Sequence, residues 1–289
     1  MAFEELMGLS NRLLGNAQTL AAVAAYLRLG ELDLEGDLAM RKQLERVLDL
    51  LGVREGIDSL EPQQRAVLLS FVRSYLAQAV DLVEDPVKEN AWSHRDPALL
   101  QAQGRASGIV ATLMAEAGLG SPDARILDVG TGVAGLAIAF CQEFPQATVV
   151  GIDPWQPSLE LARQNVDSAD LSDRITLHET TIQAFEDRDG FNLVWLPSFF
   201  IPEVVLDEAI ARAFDLLRPG GSLVVGVTHA DEDDPVAAAT DALFTVRSGG
   251  SVLEAQGAIN RLVSAGFGNV HEVERTWNAP LRFVAGTRP

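Results

Sequence analysis

Only one of the 289 residues is a cysteine, Cys141, so no internal disulfide can form. It falls in the helix after a glycine turn with no activating neighbour, and reads as a small core residue. Basic residues are also scarce. Lys plus Arg is 22 against 41 Asp plus Glu, a net charge of −19, so the surface repels phosphate backbones and anionic lipid heads. Neither nucleic acid nor a membrane surface is an expected partner. A compact neutral or cationic molecule is easier to admit, although an acidic surface equally serves solubility. Long apolar runs are missing too: the longest, Leu20 to Leu27, is far too short to span a bilayer. Glu4 and Glu5 stand where a signal peptide needs positive charge, so the expected place is the cytoplasm. No repeat or low-complexity tract appears, and only residues 229–234 (HADEDD) are locally biased.

What is present is enough for a full core, with 47% of residues hydrophobic. Residues 3 to 29 carry apolar positions at helical spacing, interrupted by Gly8 and Gly15 and ended by Gly30. Asp37 reads as the N-cap of a second helix through Leu51, with Leu38, Leu44, Val47, Leu48 and Leu51 inward and Gly52 as its stop. A third helix follows Pro62 and runs to about Val83. An irregular connector, 86 to 97, holds Trp92, His94 and Arg95, and a further helix is predicted over Ala98 to Ala117. From Arg125 onward, strands and helices alternate, and the strands are apolar almost throughout, which predicts a parallel sheet covered on both faces. The last two strands are joined by a short turn with no room for a crossover helix and must be antiparallel.

The stretch 125 to 153 organises this second half. It reads as a buried strand (Arg125 to Val129), a turn with Gly130, Gly132 and Gly135, a helix ending before Pro145, and a strand closing on Asp153. Such a unit builds a pocket at the carboxyl end of the first strand, and the acid closing the second strand is placed to accept hydrogen bonds from a ribose. A nucleoside-containing cofactor follows. The spacing Gly130-x-Gly132-x-x-Gly135 is also the dinucleotide fingerprint, which keeps an NAD(P)-dependent oxidoreductase as one alternative. Asp128 argues against it, since a dinucleotide turn keeps a small or apolar residue there, whereas a ligand carrying an ammonium gains from a carboxylate.

The segments LDVGTGVAG, GIDPW, FNLVWLP and LLRPGG, in this order and with an antiparallel terminal pair, resemble the class I S-adenosylmethionine-dependent methyltransferases over roughly residues 98 to 289. The resemblance implies an α/β fold: a doubly wound, mostly parallel seven-stranded sheet with an antiparallel last strand. It also implies S-adenosylmethionine as methyl donor and S-adenosylhomocysteine as product. Carried over by position, the backbone at Gly130, Gly132 and Ala134 would contact the methionine part, and Asp128 would favour its ammonium. Asp153 would hold the ribose hydroxyls, Pro154 and Trp155 would line the adenine, and Thr181 and Ile182 would reach its edge. Trp195 and Pro197 would lie near the transferable methyl. The chain departs from the family at Thr181 and Asn192, where acids are common, and at Ala134, where a third glycine is frequent. The helices of residues 1–97 resemble, in layout, those of small-molecule methyltransferases of bacterial secondary metabolism, where they cover the substrate pocket or build a homodimer.

The chemistry needs positioning and exclusion of water, and a base only if the acceptor carries a proton. His229, after the fifth strand, and His94, in the connector, are the candidate bases; each reads alternatively as a surface or loop histidine. His178 and His271 fall within strands and read as structural. Trp195, Phe199 and Phe200 form either an aromatic wall beside the sulfonium or plain core. Trp92 with Arg95 could clamp a substrate ring or carboxylate, or pack as a hinge. Asp231 to Asp234 read as a solvated loop, so no metal is expected. The expected acceptor is small and largely apolar. A protein that only retains S-adenosylmethionine, or uses its charge to promote a rearrangement, is the other alternative.

Overall fold

The structure, a computed structural model, describes residues 3–32, 38–87, 91–228, 234–277, 279 and 281–289. Two compact units divide the chain, Met1–Glu84 and Asp85–Pro289. The first is helical: α1 (Phe3–Leu32), α2 (Leu38–Leu51), α3 (Arg54–Asp58) and α4 (Pro62–Glu84). Its core gathers Tyr26, Leu27, Leu44, Leu48, Ile57 and Leu69, and the Tyr26 hydroxyl donates to Asp58 at 2.8 Å. Gly52 stops α2 in the left-handed region, φ 70°, where only glycine avoids a Cβ penalty.

Two expectations change here. Gly30 does not end α1, which continues to Leu32. Leu38 and Leu51, expected inward, are 74% and 47% exposed, because α2 packs through the narrower stripe of Leu44 and Leu48. The five-residue α3 is too short to leave a periodic signal. Asp37, read as a cap, lies outside the described residues. By length and composition alone α4 could cross a membrane, which a search for uninterrupted apolar runs overlooks.

The second unit opens with the connector and α5 (Pro97–Ser107), α6 (Ile109–Glu116), β1 (Arg125–Val129), α7 (Gly135–Glu143) and β2 (Thr148–Asp153). It continues with α8 (Gln156–Ser168), β3 (Ile175–Glu179), β4 (Phe191–Pro197), a 3₁₀ turn at Ser198–Phe200 and α9 (Glu203–Leu216). The final elements are β5 (Leu217–Thr228), α10 (Pro235–Arg247), α11 (Ala255–Ser264), β6 (Gly268–Glu272) and β7 (Leu281–Thr287). The connector thus belongs to this unit's packing, and the division falls after Glu84.

The seven strands are ordered β3-β2-β1-β4-β5-β7-β6. β7 runs antiparallel to both neighbours and the remaining pairs are parallel. Alternate residues feed opposite faces: Ile126, Trp195 and Val224 pack with α6, α7 and α8, while Leu127, Val194 and Val225 pack with α9 and α11. The strand order reverses between β1 and β4, so the crevice outside their carboxyl ends is where this architecture admits a ligand.

The helix predicted over 98–117 is two helices parted at Gly108, whose missing Cβ would stand 3.6 Å from Ala139 and 3.7 Å from the Gly135 carbonyl. α10 was not foreseen. Asp234 starts it, its side chain accepting from the Val236 and Ala237 N–H groups, with Pro235 in the first turn.

Candidate functional site

β1 delivers Asp128 and Val129 to the crevice, and the chain then turns on Gly130 (φ 72°) and Gly132 (φ 57°). An added Cβ at Gly132 would meet nothing closer than the Gly130 carbonyl at 4.0 Å, and at Gly130 only Pro197 at 3.9 Å. The face of the turn is therefore open, with Pro197 at the end of β4 opposite. The N–H groups of Gly130 and Thr131 both donate to Ile152 O, and that of Ala134 donates to Thr131 O. The Gly132 N–H donates to Asp153 Oδ2 at 2.9 Å. Four donors that a phosphate-binding turn would offer are spent on the protein itself.

Two buried carboxylates flank this turn. Asp128 is 1% exposed and accepts from the Thr131 hydroxyl at 2.7 Å. Burial pushes its pKa up to about 7, the Thr131 hydrogen bond opposing and the charge of Asp153 adding to the rise. Asp153 accepts from the Trp155 N–H at 2.7 Å as well as from Gly132. Burial outweighs both bonds and raises its pKa too. Two desolvated acids beside an open turn suit a ligand that brings a positive charge and hydroxyl donors, and they repel a pyrophosphate. The residues present thus fit the sulfonium nucleoside with its ammonium, and the dinucleotide reading loses its donors. The buried hydroxyl of Ser158, in the first turn of α8, has no hydrogen-bond partner.

The other predicted residues divide into those near the turn and those elsewhere. Pro154 is exposed and Trp155 half-buried. The Trp155 indole N–H donates to the His94 carbonyl at 2.9 Å, and the Arg95 guanidinium lies over its ring at 5.0 Å. The connector is thereby fastened to the residues expected to line an adenine. The His94 ring meets Trp92 edge-on at 4.8 Å, and Trp92 meets Phe200 at 5.2 Å, so the aromatic wall is built by Trp92, Phe200 and Phe199. Trp195 is not part of it: it is 3% exposed and packs edge-on against Phe283 in the core. Its side chain fills the space left by Gly226, where a Cβ would come within 2.3 Å of the indole.

Thr181 is exposed just beyond β3, while Ile182 is buried in the opposite core layer. His178 and His271 are both exposed; His178 pairs in register with Ile152 of β2, and its ring lies 5.5 Å from that of Phe185. Asn192 lies at the amino end of β4, accepting from the Arg125 N–H at 2.9 Å, at the edge of the sheet away from the crevice. An acid missing there removes nothing from the site. His229 and the acidic residues 231–233 lie outside the described residues. Among the described residues no group of three or more His, Cys, Asp or Glu could hold a metal.

Reading the sequence missed the supports of the turn. Thr131 is three residues after Asp128 and gives it its hydroxyl partner. Asn165 of α8 donates to the Val133 carbonyl at 2.8 Å and pairs with Gln101 of α5. Asn165 belongs to the helix opened by GIDPW, on the buried stripe with Ser158 and Ala162, which is the one local signal it offers.

Residues 126–221 match a methyltransferase domain family. The tRNA1(Val) (adenine(37)-N6)-methyltransferase of Vibrio campbellii is 35% identical over 80 residues, which are 27% of this chain and 34% of that enzyme. The chain therefore spans about a third of that curated relative. Among solved structures, the S-adenosylmethionine-dependent methyltransferase SibL in its apo form superposes with a TM-score of 0.62 at 24% identity, over 96% of this chain and 98% of that one. Human N-acetylserotonin methyltransferase in complex with S-adenosylmethionine gives 0.66 at 16% identity, over 100% and 99%. With the strand order, the antiparallel β7 and the matched segment in agreement, the second unit has the fold of the class I, S-adenosylmethionine-dependent methyltransferases, and residues 126–221 within it match a methyltransferase domain family.

Proposed function

We propose that this chain transfers a methyl group from S-adenosylmethionine to an oxygen, nitrogen or carbon of a small, largely apolar acceptor. One observation carries the reading: the open glycine turn lies between two buried carboxylates, Asp128 and Asp153. Bound there, S-adenosylmethionine supplies an electrophilic methyl group on a sulfonium. Asp128 would balance the ammonium, Asp153 would accept the ribose hydroxyls, and Trp155 with Pro154 would flank the adenine. Thr181 and the backbone at Ile182 would meet its edge, since the Ile182 side chain is committed to the core. Trp92, Phe199 and Phe200 would exclude water and seat an apolar acceptor beside Pro197. His94, next to that wall, would accept the proton if the acceptor carries one, with His229 as the second candidate.

The setting we infer is bacterial secondary metabolism, in the cytoplasm, with the helical N-terminus serving as a lid or as the contact of a homodimer. Leu13 and Leu14 of α1, 57% and 55% exposed, favour a partner for that helix; a monomer at all concentrations in light scattering would count against the dimer. Calorimetric titration with S-adenosylhomocysteine tests the cofactor. Folded protein that gives no heat of binding sinks the proposal, and binding of NADH in its place would restore the oxidoreductase. If the cofactor binds but labelled methyl reaches no member of a panel of phenols, amines and activated carbon acids, the non-catalytic reading takes its place.

A further inference from the structure

The last residue before α7 stands in the left-handed region, and it is an alanine. Ala134 has φ 63° and ψ 20°, a conformation that is costly for any residue with a Cβ. Its side chain is fully buried, so the strain persists only because the surroundings impose it. Those surroundings are specific. The adjoining carbonyl, Val133 O, accepts from Asn165 Nδ2 at 2.8 Å. Asn165 and Gln101 exchange two further bonds, 2.9 Å from Gln101 Nε2 to Asn165 Oδ1 and 3.1 Å from Asn165 Nδ2 to Gln101 Oε1. One helical turn beyond Gln101, Gly104 lies directly against the same segment. A Cβ there would stand 2.1 Å from Val133 Cγ2, and one on Gly135 would stand 2.0 Å from the Gly104 carbonyl. Side chain and carbonyl of Val133 are thus held by α5 and α8 together.

We propose that the Gln101–Asn165 amide pair is a latch that holds residues 130–135 in their ligand-binding conformation against the strain of Ala134. Asn165 and Gln101 are positioning residues acting through the backbone of Val133. The effect on the cofactor rests on the S-adenosylmethionine reading; the conformation of the turn does not.

Asn165→Ala and Gln101→Ala, each alone and combined with Ala134→Gly, test the latch by two measurements on the full chain: calorimetric affinity for S-adenosylhomocysteine and hydrogen exchange of the amides of residues 131–136. Losing the Val133 bond should weaken binding about tenfold in Asn165→Ala, and losing only the brace about threefold in Gln101→Ala. Adding Ala134→Gly, which removes the left-handed penalty, should bring Asn165→Ala to within about threefold of the wild type and return Gln101→Ala to wild-type affinity. That rescue should come without a rise in melting temperature, because glycine also loses a buried methyl and loosens the unfolded chain. Amide protection should fall and recover in parallel. A lowered melting temperature with unchanged affinity and protection, or no rescue by glycine, overturns the latch. If Asn165→Ala does not fold, the Gln101 series decides alone. If the wild type itself ignores S-adenosylhomocysteine, the proposed function fails, and the exchange data still decide the latch: protection lost in Asn165→Ala and regained with Ala134→Gly upholds it, and unchanged protection refutes it.

Discussion

Replacing Asp128 with asparagine should make the protein more stable at pH 8 and worse at binding its cofactor. The stability part follows from burial. Asp128 is raised from an ordinary 3.8 to about 7, so between those values the folded protein keeps a proton that the unfolded chain has released. Stability therefore falls as pH rises through that window, and the loss is complete above about pH 7. At about 1.4 kcal/mol for each tenfold change in proton affinity, the ionised carboxylate costs the folded state about 4 kcal/mol. Asparagine keeps an oxygen for the Thr131 hydroxyl but buries an amide N–H₂ that must find an acceptor, at about 1–3 kcal/mol. The net gain at pH 8 is about 1–3 kcal/mol, or roughly 2–10 °C in melting temperature. At pH 4.5, where the wild-type side chain is protonated, the gain should vanish or reverse. Asp153, also raised by burial, is present in both proteins, and the effect of its charge on Asp128 is already part of that rise. Calorimetric melts of the two proteins between pH 4.5 and 8.5 provide the assay. A melting-temperature difference that does not change with pH would refute the account of Asp128. Calorimetric titration of the same pair should show Asp128→Asn binding S-adenosylhomocysteine about tenfold or more weakly. Wild-type affinity should decline below about pH 7, where the ammonium must displace a proton. The stability surrendered by a buried anion is thus exchanged for a site that prefers a cation.

Asp153→Ala removes the acceptor of the Gly132 and Trp155 N–H groups and should weaken S-adenosylhomocysteine binding by about 1–3 kcal/mol; unchanged affinity in the titration means the ribose site is misassigned. Gly135→Ala places a methyl 2.0 Å from the Gly104 carbonyl, so α5 and α7 must separate, at about 1–3 kcal/mol or more. Thermal melts should show the loss, and an unaltered melt would mean the two helices are not in contact. Asn192→Asp restores the commoner acid at the amino end of β4, keeps an oxygen for the Arg125 N–H, and should leave cofactor affinity within about twofold of wild type. A larger change would place that residue nearer the crevice than the sheet allows.

What the sequence reveals of this protein is what short stretches of chain can specify. The run from Arg125 to Asp153 announces itself because a buried strand, glycines that adopt positive φ and an acid at a strand end lie within thirty residues of one another. The antiparallel β7 is legible for a similar reason: the turn before it is too short for a crossover. Trp195 misleads because β4 is buried on both faces, and an apolar strand carries no sign of which side faces a ligand and which the core. α10 hides behind its acidic start, since a run of acids reads as a solvated loop until Asp234 is seen capping a helix. Gln101 and Asn165 are 64 positions apart, and no local pattern pairs them. The left-handed conformation of Ala134 is equally silent, because nothing in an alanine predicts a geometry that only tertiary contacts can enforce.

The bond from the Trp155 indole to the His94 carbonyl also locates the seam along which this protein can be divided. Trp92 reaches Phe200, Asp96 caps α5, and Arg247 donates to the carbonyl of Asp85 just before the connector, so the described residues on both sides of residues 88–90 are tied to the sheet domain. A fragment starting at residue 98 would discard Trp92 from the aromatic wall and the cap of the helix that touches the glycine turn. One starting at Asp85 keeps both. A fragment of the sheet domain should therefore begin after the Glu84–Asp85 bond, where the cut leaves the fastenings of Trp155 and of α5 in place.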